Sequence, residues 1–111
     1  MDMQLDTEAA FPVVRLCGGI GLEDKTRFLE RMHDLLAQRH PKVVIDLSEV
    51  DSIDSSGLSS LIEVVTRARL KEGRVILIGP NPFVRSVMEV TQLHRWFEIC
   101  EDLEQASRLL A

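Results

Sequence analysis

The sequence predicts an α/β fold: a single layer of mixed, largely parallel β-sheet with helices packed against it. Three observations lead there. Strand-like runs alternate with segments of helical period in the order β-β-α-β-α-β-α-β-α. The central run Lys42-Val43-Val44-Ile45-Asp46-Leu47 is apolar on both faces, as a strand with helices on each side should be. The chain has 111 residues, enough for one domain that buries roughly two thirds of its unfolded surface, so residues 1–111 are read as one unit.

A first strand is expected over about Gln4 to Glu8. A second runs from Val13 to Cys17, with Pro12 at its start where a missing amide is tolerated, and stops at Gly18-Gly19. A helix follows over about Asp24 to Gln38, with Phe28, Leu29, Met32, Leu35 and Leu36 on its apolar stripe. After the central strand, Ser48, Asp51 and Ser52 break every regular pattern and predict a loop. From Ser55 to about Lys71 the period is helical again. Leu58, Leu61, Ile62, Val65 and Ala68 point inward, while Ser59, Ser60, Glu63, Thr66 and Arg67 point away.

Glu63 and Arg67 stand four apart in the favourable order, and Gly73 is expected to supply a positive φ past the last turn. Arg74 to Ile78 is the next strand. In Gly79-Pro80-Asn81-Pro82, Asn81 is a helix cap and Pro82 the first helical residue. The stripe Phe83, Val84, Val87 and Met88 reads as core. Trp96 to Ile99 is the last strand, and Asp102-Leu103-Glu104-Gln105 a capping box opening the final helix.

Composition narrows the function. The net charge is −5 and the thirteen basic residues are scattered, which argues against nucleic acid or an anionic membrane as a direct partner. There is no tyrosine and aromatics make up 5% of the chain, so the stacking platforms of a single-strand binder are missing. The acidic start Met1-Asp2-Met3-Gln4-Leu5-Asp6 does not look like a secretory signal, and no apolar run reaches the ~18 residues of a membrane span. A cytoplasmic protein is expected. Cys17 and Cys100 lie far apart in apolar runs and read as two buried thiols. His33, His40 and His94 read as surface residues. Gly18-Gly19-Ile20-Gly21 lacks the lysine and spacing of a phosphate loop and reads as a turn.

Chemistry concentrates at Asp54-Ser55-Ser56-Gly57-Leu58, where the strand segment meets the helix. Asp54 or Ser55 is the natural N-cap. Gly57 is poorer than alanine by ~1 kcal/mol within a helix, which suggests close approach of another backbone or of a partner; a partner is the favoured reading, and Gly57→Ala would then leave stability intact. Asp46, Glu49, Asp51 and Asp54 gather at the carboxyl end of the strand, the edge at which open α/β sheets bind their partners. Solvated loop carboxylates explain these acids better than a metal site, and no cofactor is indicated. Local sequence alone would make Ser55 and Ser56 a capping pair without chemistry.

Val44-Ile45-Asp46-Leu47, then Ile53-Asp54-Ser55-Ser56-Gly57-Leu58, a helix, and Val75-Ile76-Leu77-Ile78-Gly79 resemble the STAS-domain family of bacterial anti-sigma-factor antagonists over nearly the whole chain. That resemblance implies partner switching. Such a protein binds a serine-kinase anti-sigma factor when unphosphorylated, is phosphorylated by it on the first serine after the aspartate, and is reset by a PP2C-type phosphatase. Carried over, the acceptor is Ser55, with Ser56 its rival, and the docking edge is Asp54, Ser55, Ser56, Gly57 and Leu58. The family commonly has a Gly-Glu-Leu/Ile-Asp turn after the second strand; Gly18-Gly19-Ile20-Gly21 stands here, with acids only at Glu23 and Asp24. Partner choice is therefore left open.

A phosphate at Ser55 would add roughly −1.5 to −2 charge, and a helix amino terminus would favour it by only ~0.3 to 1 kcal/mol. Repulsion from Asp46, Asp51 or Asp54, about 3 kcal/mol for unit charges ~6 Å apart at an effective dielectric of ~20, would exceed that gain. Phosphate is thus expected to disrupt a docked surface rather than to reorganise the domain. Two other classes stand beside this reading. One is a small STAS accessory subunit docked on a transporter ATPase without phosphorylation. The other is an enzyme using Asp54 and a serine, disfavoured because no activating base is identifiable.

Overall fold

The computed structural model describes residues 1–111 and contains a five-stranded sheet in the order β1-β2-β3-β4-β5. The strands are β1 (Asp2–Asp6), β2 (Val13–Ile20), β3 (Lys42–Ile53), β4 (Arg74–Ile78) and β5 (Glu98–Cys100). The helices are α1 (Lys25–Leu36), α2 (Ser55–Leu70), α3 (Pro82–Val90) and α4 (Leu103–Leu110), with single 3₁₀ turns at Leu22–Asp24 and Leu93–Arg95. Only β1 is antiparallel to its neighbour; β2 through β5 are parallel. The mixed, largely parallel sheet expected from the sequence is therefore present.

Each parallel strand is laid beside its predecessor, so right-handed crossovers place α1, α2 and α3 on one face. The main core is the result: Phe28 and Met32 of α1, Leu61 and Val65 of α2, and Val84 and Met88 of α3 pack on Val43, Ile45, Leu47 and Leu77. The other face is covered by α4, whose Ala106 and Leu110 meet Val13, Val44, Ile76 and Cys100, and by Ala9 and Phe11 of the β1–β2 connection. That two-sided cover is why β3 has no polar alternation through Ile45.

The strand ends differ from expectation for identifiable reasons. β1 is Asp2–Asp6 rather than Gln4 to Glu8, since Asp2 already pairs with Cys17. β2 continues through Gly18 and Gly19 to Ile20, with Gly18 at φ +86. The expected loop after Leu47 is strand as far as Ile53. Two register shifts, between Arg15 and Cys17 and between Gly18 and Gly19, each give β3 one residue more than β2. Those extra residues turn the inward period from two to three, burying Leu47, Val50 and Ile53 and exposing the polar residues between them.

Helix ends also adjust. α1 spans Lys25–Leu36, shorter than Asp24 to Gln38, and the last strand starts at Glu98 rather than Trp96. The left-handed residue after α2 is Glu72, at φ +57, not Gly73. Gly73 is required for space: a Cβ there would lie 2.2 Å from the Pro41 carbonyl oxygen. Asn81 caps α3 by accepting from the Val84 amide, with Pro82 beginning the helix. Asp102 accepts from the Gln105 amide, but the Gln105 side chain accepts from Glu101 instead of completing a capping box. Cys100 is buried, its thiol pKa raised by that burial, whereas Cys17 is only half-buried. Phe83 is exposed, leaving Val84 and Met88 as the buried part of the α3 stripe.

Candidate functional site

The serine pair opens α2 where β3 ends. Asp54 is extended and caps the helix, its side-chain oxygen accepting from the Gly57 amide at 2.9 Å. Its own amide donates to the Ile20 carbonyl at 3.3 Å, tying the cap to the end of β2. Ser55 follows as the first helical residue and is exposed, whereas Ser56 is half-buried. The Ser60 hydroxyl donates to the Ser56 carbonyl at 2.9 Å, which explains how Ser60, expected to face outward, lies fully buried.

Gly57 has a different role from the one its sequence position suggested. A Cβ there would fall 2.4 Å from the Ile20 carbonyl oxygen and 2.7 Å from the Ile53 side chain. The chain's own β2 backbone, not a partner, fills that space. Leu58 is buried in the main core as well. Of the five residues assigned to the docking edge, Asp54, Ser55 and part of Ser56 are accessible.

The turn after β2 borders the site directly. Gly21 approaches so closely that a Cβ on it would meet an Asp54 carboxylate oxygen at 3.2 Å. Beside it an open cleft of about 420 Å³ is lined by Gly19, Gly21, Glu23, Asp24, Ser52 and Asp54 among others. Asp24 is buried and accepts from the Gly21 amide at 3.0 Å. That hydrogen bond, aided against the cost of burial by the Met1 amine and Arg27, holds its carboxyl below the usual range. The acids named from the sequence do not all converge. Asp46 lies on the opposite sheet face, 3.5 Å from Arg15, and accepts from the Ser48 amide, so its charge is turned away from Ser55.

One basic group at this end was not legible in the sequence. The Lys25 ammonium donates to the Ser59 hydroxyl at 3.1 Å, across the junction of α1 with α2. Only the tertiary placement of α1 brings it there. His33, His40 and His94 are all exposed. His33 borders a cleft of about 370 Å³ between the last turns of α1 and α2. Twelve residues along α2 separate that cleft's Arg67 from Ser55, about 18 Å at the helical rise.

The STAS-domain model matches residues 2–106. The chain belongs to the STAS-domain family. It is 29% identical over 73 residues, 66% of this chain and 65% of the relative, to a candidate anti-sigma factor antagonist of Thermotoga neapolitana. It is 32% identical over 66 residues, 60% of this chain and 57% of the relative, to the candidate antagonist BtrV of Bordetella bronchiseptica. The chain thus spans less than two thirds of the length of these curated relatives. Among solved structures, an anti-sigma factor antagonist from Mycobacterium paratuberculosis superposes with a TM-score of 0.85 at 22% identity, covering 98% of this chain and 92% of that one. Phosphorylated SpoIIAA of Bacillus gives 0.73 at 21%, covering 97% and 99%. Both likenesses establish the shared fold.

Proposed function

We propose that this STAS domain is an anti-sigma-factor antagonist that works by partner switching in the cytoplasm. It binds a serine-kinase anti-sigma factor while Ser55 is unmodified. The kinase transfers the γ-phosphoryl group of ATP to the Ser55 hydroxyl, the complex separates, and a PP2C-type phosphatase resets the serine. The chain itself acts by binding, not by catalysis. The observation that carries this reading is the exposure of Ser55 directly after a capping aspartate, at the one helix start of a STAS domain that presents a serine pair. Ser56, half-buried, is the less accessible acceptor.

Electrostatics supports release over refolding. The start of α2 favours a phosphate by only ~0.3 to 1 kcal/mol, while the adjoining Asp54, which lines one cleft with Glu23 and Asp24, brings like charge to a water-facing edge. Incubation with the cognate kinase and Mg-ATP is expected to add one phosphate, located at Ser55 by peptide mass spectrometry and absent from Ser55→Ala. Phosphorylation of the Ala variant at Ser56 would overturn the assignment. Ser55→Ala is expected to bind the kinase, and Ser55→Asp to bind it more weakly by about 1 to 3 kcal/mol, because aspartate supplies only part of the phosphate charge. Equal affinities would favour constitutive docking of the kind used by a transporter accessory subunit.

A further inference from the structure

Three arginines on the helices of the main face are committed to carboxylates. On α1, Arg27 lies 3.6 Å from Asp24, and further along α2 Arg67 lies 3.7 Å from Glu63. On α3, Arg85 lies 3.5 Å from Glu101. The end of β3 contributes Asp51 and Asp54, and the 3₁₀ turn contributes Glu23 and Asp24. Lys25 is not committed in this way. It follows Glu23 and Asp24 in sequence yet forms an ion pair with neither, and its ammonium sits instead on the Ser59 hydroxyl.

Ser59 lies four residues after Ser55, so the two share a helix face with their Cβ atoms about 5–6 Å apart. Helical side chains lean toward the amino terminus, which directs the Ser59 hydroxyl, and the ammonium on it, toward the first turn. We propose that Lys25 is the internal counter-ion of a phosphoryl group on Ser55. On modification the ammonium leaves a neutral hydroxyl for a dianionic oxygen, a charge-assisted bond of about twice the strength, and its flexible four-carbon stem covers the short distance. The phosphate is then held over the α1–α2 junction and shielded from Asp51, Asp54 and Glu23. Lys25 acts here as a positioning residue. The proposal rests on Ser55 being the modified serine.

The test uses the full chain with phosphoserine installed at position 55 by codon reassignment, so that no kinase is needed. Titration by ³¹P NMR reads the second ionisation of the phosphate. With Lys25 present that ionisation is expected about half a pH unit lower than in Lys25→Gln, and Lys25→Arg should restore most of the shift. Identical titrations for wild type and Lys25→Gln would overturn the proposal, whatever Lys25→Gln does to the melting temperature. Should Lys25→Gln fail to fold, the Lys25 side-chain nitrogen resonance in the wild type decides. A change on installing phosphoserine supports the pair, and an unchanged resonance overturns it. Failure of a kinase to modify Ser55 would remove the parent reading while leaving the titration result intact, so the two are separable.

Discussion

Gly57→Ala should destabilise this domain, although an alanine in a helix is ordinarily an improvement. The added methyl would stand 2.4 Å from the Ile20 carbonyl oxygen, 2.7 Å from Ile53 Cγ1 and 3.0 Å from Ile20 Cγ2. The first of these atoms is backbone in the middle of a paired strand end, so α2 must move away from β2 to relieve it. Overpacking of this sort costs about 1–3 kcal/mol, and the gain in helix propensity returns up to ~1 kcal/mol. At 2.4 Å from a backbone atom the upper part of that range, about 2–3 kcal/mol, applies, which leaves a net loss of about 1–2 kcal/mol, equivalent to a fall in melting temperature of roughly 4–8 °C for a domain of this size. Scanning calorimetry, with urea denaturation as a second measure, would read it. An unchanged or raised melting temperature would refute the claim that Gly57 is required by the chain's own backbone and would return the glycine to the partner interface.

Gly19→Ala should be much milder than Gly57→Ala, within about 0.5 kcal/mol by urea denaturation, because the atom it meets at 2.6 Å is the Ser52 hydroxyl, which can rotate away. Asp54→Ala should cost about 1 kcal/mol in the same assay, with Asp54→Ser recovering most of it, since the loss is that of the cap on the Gly57 amide. Asp24 supplies a pH test. Its folded pKa lies below the ordinary aspartate value, so its contribution is present above that value and is lost as pH falls through the folded one. The stability difference between wild type and Asp24→Asn should therefore be full near pH 6 and shrink below about pH 4; a difference independent of pH would contradict the hydrogen-bond assignment.

Much of this fold follows from local pattern. The β-branched runs at Val43 to Ile45 and Val75 to Ile78, the Asn81-Pro82 helix start and the Glu63–Arg67 pair all depend on residues close in sequence, and each is found as expected. At the candidate site the helix start was legible to the same extent: of the two expected caps, Asp54 is the one that caps, and Ser55 follows it as the first helical residue. What escaped depends on a second chain segment. Two extra residues in β3 turned the inward period from two to three, so a strand looked like a loop. The space beside Gly57 is filled by Ile20, and the bond from Lys25 to Ser59 crosses two helices. A glycine in a first turn tells that something comes close, and only the packing tells what.

The order in which the strands lie side by side is also the order in which they are synthesised. Every segment that borders Ser55, from the end of β2 through its turn to β3, precedes α2 in the chain. The sheet can therefore grow by successive additions at one edge, each parallel pairing waiting for a helix-containing crossover to close, which slows it. During such growth the outer edge of β3 is the unpaired one, and it stays open until Arg74–Ile78 arrives. The serine turn would thus take shape on the ribosome before the strand that seals the sheet behind it, leaving β3 as the segment most in need of protection from neighbouring chains.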